Sequence, residues 1–129
     1  MIAQMSENKI KLVYVEDSDA LSLLVKYKLN QSDFDVKIIT DGEHAFEIIK
    51  DDLSEIVILD FMLPMKDGLT ILKELKSDDV TKDIPVIMLT TNSEEDLMLQ
   101  CFEAGASDFI TKPFSTPLLL ARINKALEK

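Results

Sequence analysis

Three carboxylates and a lysine stand in this chain where hydrophobic runs end. Asp60 closes the run Ile56-Val57-Ile58-Leu59, four β-favouring apolar residues that read as a strand buried on both faces. Glu16 and Asp17 follow a second such run, Ile10 to Val15, and Lys112 follows a third, the short Phe109-Ile110 stretch. Thr90 stands just past a fourth, Pro85 to Leu89. Open α/β sheets build their sites at the carboxyl ends of their strands, so these groups are expected at one edge. Glu16, Asp17 and Asp60 would crowd there within ~5–7 Å, each like-charge pair costing about 2–3 kcal/mol at an effective dielectric near 20. Such repulsion stands only where cations relieve it. Lys112 supplies one charge, and a hard, oxygen-seeking divalent ion supplies two more. Mg²⁺ suits the set, because it binds through one or two carboxylates and keeps positions for water and phosphate. A carboxylate beside Mg²⁺ and a lysine is equipped to attack phosphorus, the cations neutralising the equatorial oxygens while the Thr90 hydroxyl donates to one of them. The expected product is an aspartyl phosphate.

The elements that must position these groups alternate strand and helix, without linker, repeat or low-complexity tract. After the first strand, Ser18 is the expected N-cap of a helix presenting Leu21, Leu24, Val25 and Leu29 on one face. Val36 and Ile38 alternate with Lys37, marking a wetter strand at a sheet edge. Asp41-Gly42 turns into a helix burying Ala45, Ile48 and Ile49, on which His44 is a surface residue. Beyond Asp60, Asp67-Gly68 leads into a helix with Ile71, Leu72 and Leu75 inward. A helix from about Glu94 to Ala104 stops at Gly105, a natural left-handed terminator. The last helix takes Thr116 as N-cap and Pro117 at its first position, and buries Leu119, Ile123, Ala126 and Leu127. Five strands alternating with five helices imply a parallel sheet covered on both faces.

Composition bounds the possibilities. The 129 residues fit one domain, and a hydrophobic fraction of 47% supports a packed core. A formal charge of −10 argues against direct binding to a nucleic-acid backbone and favours a cation site or a basic protein partner. A single cysteine, Cys101, excludes an internal disulfide, fits a reducing cytoplasm and reads as a small core hydrophobe. Residues 1–8 lack the pattern of a signal peptide and are expected to form a loose tail before a domain at 9–129. No run approaches membrane-spanning length.

In this order the residues resemble those of bacterial two-component response-regulator receiver domains. The likeness covers about residues 9–128 and rests on Glu16-Asp17, Asp60 followed by Pro64 and Asp67-Gly68, Thr90, Phe109, and Lys112-Pro113. Each signal alone is weak; five in register are not. The resemblance implies a flavodoxin-like (βα)5 three-layer sandwich with strand order 2-1-3-4-5. It implies Asp60 as phosphoacceptor from a histidine kinase or histidine phosphotransfer protein, and Mg²⁺ held by Glu16, Asp17, Asp60 and the Met62 backbone carbonyl. Lys112 then pairs with the phosphoryl group, Pro113 follows a cis peptide bond, and Thr90 and Phe109 are the switch residues. Output is expected through the helix near 94–104, the Phe109 strand and the final helix, to a partner protein or a second copy. A regulatory phosphoacceptor is implied, not an enzyme with a separate substrate.

Departures from the family pattern are informative. Thr91 stands where a small residue is usual, Phe109 lacks the hydroxyl of the common tyrosine, and Met62 and Asn92 flank the path of attacking water. Receivers joined to winged-helix DNA-binding domains share the Leu119-Leu120-Ala121-Arg122-Ile123 segment, yet Met98 and Ser107 replace the charged residues of their dimer. The alternatives are a receiver module cut from a longer DNA-binding regulator and, more distantly, an aspartate-nucleophile phosphatase of the haloacid dehalogenase type. The latter carries a second aspartate where this chain has Met62. Three unclustered glycines exclude a P-loop or dinucleotide fingerprint.

Overall fold

The computed structural model describes residues 9–92 and 94–128; the tail expected at 1–8 lies outside them. Five strands, β1 (Ile10–Val15), β2 (Phe34–Ile39), β3 (Ile56–Asp60), β4 (Val86–Thr90) and β5 (Asp108–Thr111), alternate with five helices. The helices are α1 (Asp19–Asn30), α2 (Ala45–Asp52), α3 (Gly68–Lys76), α4 (Glu95–Glu103) and α5 (Thr116–Leu127). The strands form one parallel sheet in the order β2-β1-β3-β4-β5. This is the flavodoxin-like α/β architecture, with the chain reversing direction across the sheet between β1 and β3.

Burial follows the residue pattern. β3 and β4 are buried at every position, as continuous apolar runs covered on both faces must be. β2, an edge strand, alternates, with Asp35 and Lys37 exposed between Phe34, Val36 and Ile39. Two apolar layers sandwich the sheet. Val13, Val15, Val57, Leu59 and Met88 meet Ile49 of α2, Leu72 of α3 and Cys101 of α4. On the other face Leu12, Tyr14, Ile58 and Leu89 meet Val25 and Leu29 of α1 and Leu119 and Ile123 of α5. Each fully buried aliphatic side chain contributes about 1.5–3 kcal/mol.

Ile48, Ala126 and Leu127, expected to be buried, are only partly so, and two further expectations about helices need correction. Leu24 is 51% exposed, because the buried stripe of α1 is the narrower set Ser22, Val25 and Leu29. Helix α5 is capped by Ser115, whose side chain accepts the Leu118 N–H at 3.2 Å. Thr116 is thus its first residue and Pro117 its second, still within the turn whose N–H groups need no helical partner. Ser18 caps α1 as expected. His44 is exposed and immediately precedes α2 without a side-chain capping bond. Gly105, at φ 108°, ends the α4 turn as expected, and Cys101 is fully buried, its thiol pushed up by that burial.

Candidate functional site

Sheet hydrogen bonding carries the chain one step past each strand and so fixes where the acidic residues emerge. Glu16 N–H donates to the Ile39 carbonyl at 2.9 Å, extending the β1–β2 ladder beyond Val15. Asp60 and Thr90 are themselves the last residues of β3 and β4, so each strand runs one position beyond its apolar run. Phe61 N–H donates to the Leu89 carbonyl, and Lys112 N–H to the Thr90 carbonyl at 2.8 Å. The β3–α3 loop then folds back, with Gly68 N–H donating to the Phe61 carbonyl. A Cβ on Gly68 would overlap the Asp60 carbonyl oxygen, which is why glycine must follow Asp67.

These backbones bring Glu16, Asp17, Asp60 and Lys112 together. One ligand atom from each of the three acids lies within 4.8 Å of the others. Lys112 Nζ donates to Glu16 Oε1 at 2.7 Å and to Asp60 Oδ2 at 3.1 Å, bridging them. Asp60 Oδ1 accepts the Met62 N–H at 3.3 Å, so the Met62 peptide lies against the same carboxylate. Glu16 and Asp60 are buried, whereas Asp17 is exposed. A cleft of about 430 Å³ lined by Asp17, Phe61, Met62, Leu63, Pro64 and Asp67 opens beside them. The Lys112–Pro113 peptide bond is cis.

Charge and burial oppose each other here. Burial, then the nearby Glu16 charge, pushes Asp60 up to about 6, with Lys112 working against both. Burial also acts to raise Glu16, but the donors Lys112 and Tyr14 outweigh it and hold it below the usual carboxylate range. Lys112 is partly buried, which acts to lower it; its bonds to the two acids prevail and raise it. A carboxyl group that resists ionisation beside one lysine is poised to gain a further cation. The donor set is all oxygen, two buried acids and one open to solvent, and that composition fits a hard divalent ion such as Mg²⁺.

Thr90 ends β4, one strand along the sheet from Asp60, and Phe109 lies on β5, two strands along. The Thr90 side chain is fully buried, and its Oγ1 accepts the Asn92 N–H at 3.1 Å, tying it to the β4–α4 loop. Phe109 is 8% exposed and packs into the cluster that contains Leu97 and Cys101. Arg122 bonds both carboxylate oxygens of Asp108 through Nη1 at 2.8 and 2.9 Å, joining α5 to β5.

Sequence reasoning missed Tyr14. It is fully buried, and its hydroxyl donates to Glu16 Oε1 at 2.8 Å. The signal was strand alternation: residues two apart on β1 face the same side, so a tyrosine two before an acid can reach it. The Ser18 N–H, at 3.3 Å from Glu16 Oε2, completes the donors around that carboxylate.

Comparison with known proteins places this geometry. A family model described as the response regulator receiver domain matches residues 12–124. The phosphate regulon transcriptional regulatory protein PhoB of Rhizobium meliloti is 38% identical over 119 residues, covering 92% of this chain and 52% of that protein. Response regulator PleD of Caulobacter vibrioides is 36% identical over 113 residues, 88% of this chain and 25% of PleD. The chain thus spans about half the length, or less, of these curated relatives. Among solved structures, a putative response regulator from Chloroflexus aurantiacus matches with a TM-score of 0.88 at 30% identity, covering 94% of this chain and 99% of that one. The BeF3-activated N-terminal receiver domain of Klebsiella pneumoniae RstA matches with a TM-score of 0.85 at 34% identity, covering 92% and 99%.

Proposed function

The chain belongs to the response regulator receiver family, and from that premise we propose that Asp60 accepts a phosphoryl group from a histidine kinase or histidine phosphotransfer protein. Receivers are regulatory phosphoacceptors of two-component signalling, not enzymes acting on a separate substrate. The observation that carries the reading is the Lys112 bridge: one partly buried ammonium at 2.7 Å from Glu16 and 3.1 Å from Asp60 where parallel strands end.

In the proposed transfer an Asp60 carboxylate oxygen attacks phosphorus, the bond from phosphorus to the donor nitrogen breaks, and the histidine recovers a proton. Lys112 moves from the acids to a phosphoryl oxygen, and the Thr90 hydroxyl leaves the Asn92 N–H to donate to another. Mg²⁺, held by Glu16, Asp17, Asp60 and the Met62 carbonyl, supplies charge neutralisation on the transferring oxygens when bound. A charge-assisted contact from Thr90 is worth about 1.5–3 kcal/mol, roughly a ten- to hundredfold shift in a two-state equilibrium. Vacating its present position opens space toward which the Phe109 ring can turn. The surface proposed to change comprises α4, β5 and α5, where exposed Leu99 and Phe102 offer contacts to a partner or a second copy.

A second reading concerns the whole protein. PhoB is by name a transcriptional regulator and about twice this length, which supports a receiver that serves a DNA-binding output domain. The net charge of −10 assigns any DNA contact to that output domain and not to this one. Among the described residues no helix is long and apolar enough to cross a membrane. Incubation with acetyl phosphate and Mg²⁺ tests the central proposal by intact mass. One phosphoryl adduct, lost with EDTA and absent from Asp60→Asn, is expected. An Asp60→Asn protein modified as fast as the parent would refute the assignment.

A further inference from the structure

Tyr14 is the one polar side chain of the β1 core that touches the acid cluster. It sits with Leu12, Val25, Ile58, Ile110 and Leu119, a setting that a phenylalanine would fill equally well. A phenol hydroxyl taken into such a cluster costs free energy unless it is bonded, and its partner here is Glu16 Oε1 at 2.8 Å. The same oxygen accepts from Lys112 Nζ at 2.7 Å. Glu16 is 1% exposed, so water cannot replace a lost donor. Its other oxygen has only the longer Ser18 N–H contact at 3.3 Å.

We propose that Tyr14 is a positioning residue for phosphoryl transfer, its hydroxyl holding the buried Glu16 carboxylate when Lys112 leaves for the phosphoryl group. The logic is one of supply. Lys112 serves Glu16 and Asp60 together in the unphosphorylated protein. A phosphoryl group on Asp60 recruits that ammonium, and Glu16 then depends on the donors that remain. Tyr14 stays in place because strand and core fix its ring, and a second donor on the same oxygen lets the lysine go at low cost. Without the hydroxyl, the departure of Lys112 would leave Glu16 Oε1 with no protein donor even with Mg²⁺ on the acid set, so Lys112 is retained and the phosphorylated form is disfavoured.

This inference rests on Asp60 being the phosphoacceptor, and the test separates the two. Beryllofluoride, a phosphoryl mimic, is titrated into the parent and Tyr14→Phe under saturating Mg²⁺, and Mg²⁺ is titrated alone. Tyr14→Phe is expected to weaken beryllofluoride binding about tenfold, the lower range for a buried charge-assisted hydrogen bond, and to change Mg²⁺ affinity less than about threefold. Unchanged beryllofluoride binding overturns the proposal. So does an equal loss for Mg²⁺ alone, because Tyr14 would then serve only the metal-bound acid set. The second arm keeps the native Tyr14 and needs no core variant. In Tyr27→Phe, changed at an exposed site, Tyr14 is the sole tyrosine of a chain without tryptophan. Its emission is expected to fall on beryllofluoride addition as the phenol–carboxylate bond tightens; constant emission overturns the proposal. A parent protein that binds no beryllofluoride refutes the phosphoacceptor reading itself.

Discussion

Replacing Asp60 with asparagine should stabilise the metal-free protein at neutral pH, and the gain should vanish in acid. Asp60 is 4% exposed and is pushed from 3.8 up to about 6, by burial first and by the Glu16 charge second. Between those two values the unfolded chain has released the Asp60 proton and the folded protein has kept it. The folded state therefore binds more protons, and stability falls as pH rises through the window. A shift of roughly two units corresponds to about 3 kcal/mol at neutral pH, an upper bound for so closely coupled a set. For a chain of this size that is a melting-temperature difference of up to about 10 °C. Glu16 works in the opposite sense: held low, it adds stability above its ordinary value that is lost as pH falls further. Asparagine keeps the shape of Asp60 while removing the charge whose burial is penalised. Urea unfolding of both proteins in EDTA, at neutral pH and near pH 4, measures the difference directly. Asp60→Asn should be more stable at neutral pH and close to the parent in acid. Excess Mg²⁺ should narrow the neutral-pH gap, since it binds the folded parent. Equal stabilities at neutral pH, or a gap that persists in acid, would show that Asp60 does not carry buried charge in the folded protein.

Other outcomes follow from the same geometry. Asp17 is exposed beside two buried acids, so Asp17→Asn should leave metal-free stability nearly unchanged yet shrink the Mg²⁺-induced rise in melting temperature; an undiminished rise would remove Asp17 from the cation set. Amide exchange with beryllofluoride should alter protection across 90–92 and 94–112 while α3 stays quiet, and changes confined to 18–50 would refute the proposed output face. Arg122→Ala breaks a half-exposed ion pair with Asp108 and should cost no more than about 1 kcal/mol in chemical denaturation. Leu75→Ala, in the α3 face of the core, should cost about 2–5 kcal/mol; a smaller loss would mean that the α3 layer collapses around the gap.

Much of this protein was legible in the order of its residues. The runs before Asp60 and Thr90 are continuous and apolar because their strands are covered on both faces, and each run announces its own end. Asp67-Gly68 marked a turn, and the Gly68 contact with the Asp60 carbonyl oxygen shows why that turn tolerates no side chain. A five-signal resemblance supplied the strand order that local patterning alone leaves open. What tertiary structure decided were matters of which side chain reaches which. Leu24 matches the helical period yet is exposed, since the width of a buried stripe depends on what packs against it. Nothing in the order of residues pairs Arg122 with Asp108, which α5 meets only because it packs beside β5. The exposure of Asp17 beside the burial of Glu16 could not be read from two adjacent acids. It depends on where the chain leaves the sheet: Glu16 stays within reach of Tyr14 two residues before it and Lys112 96 residues after it, whereas Asp17 lies in the bend beyond β1 and is exposed.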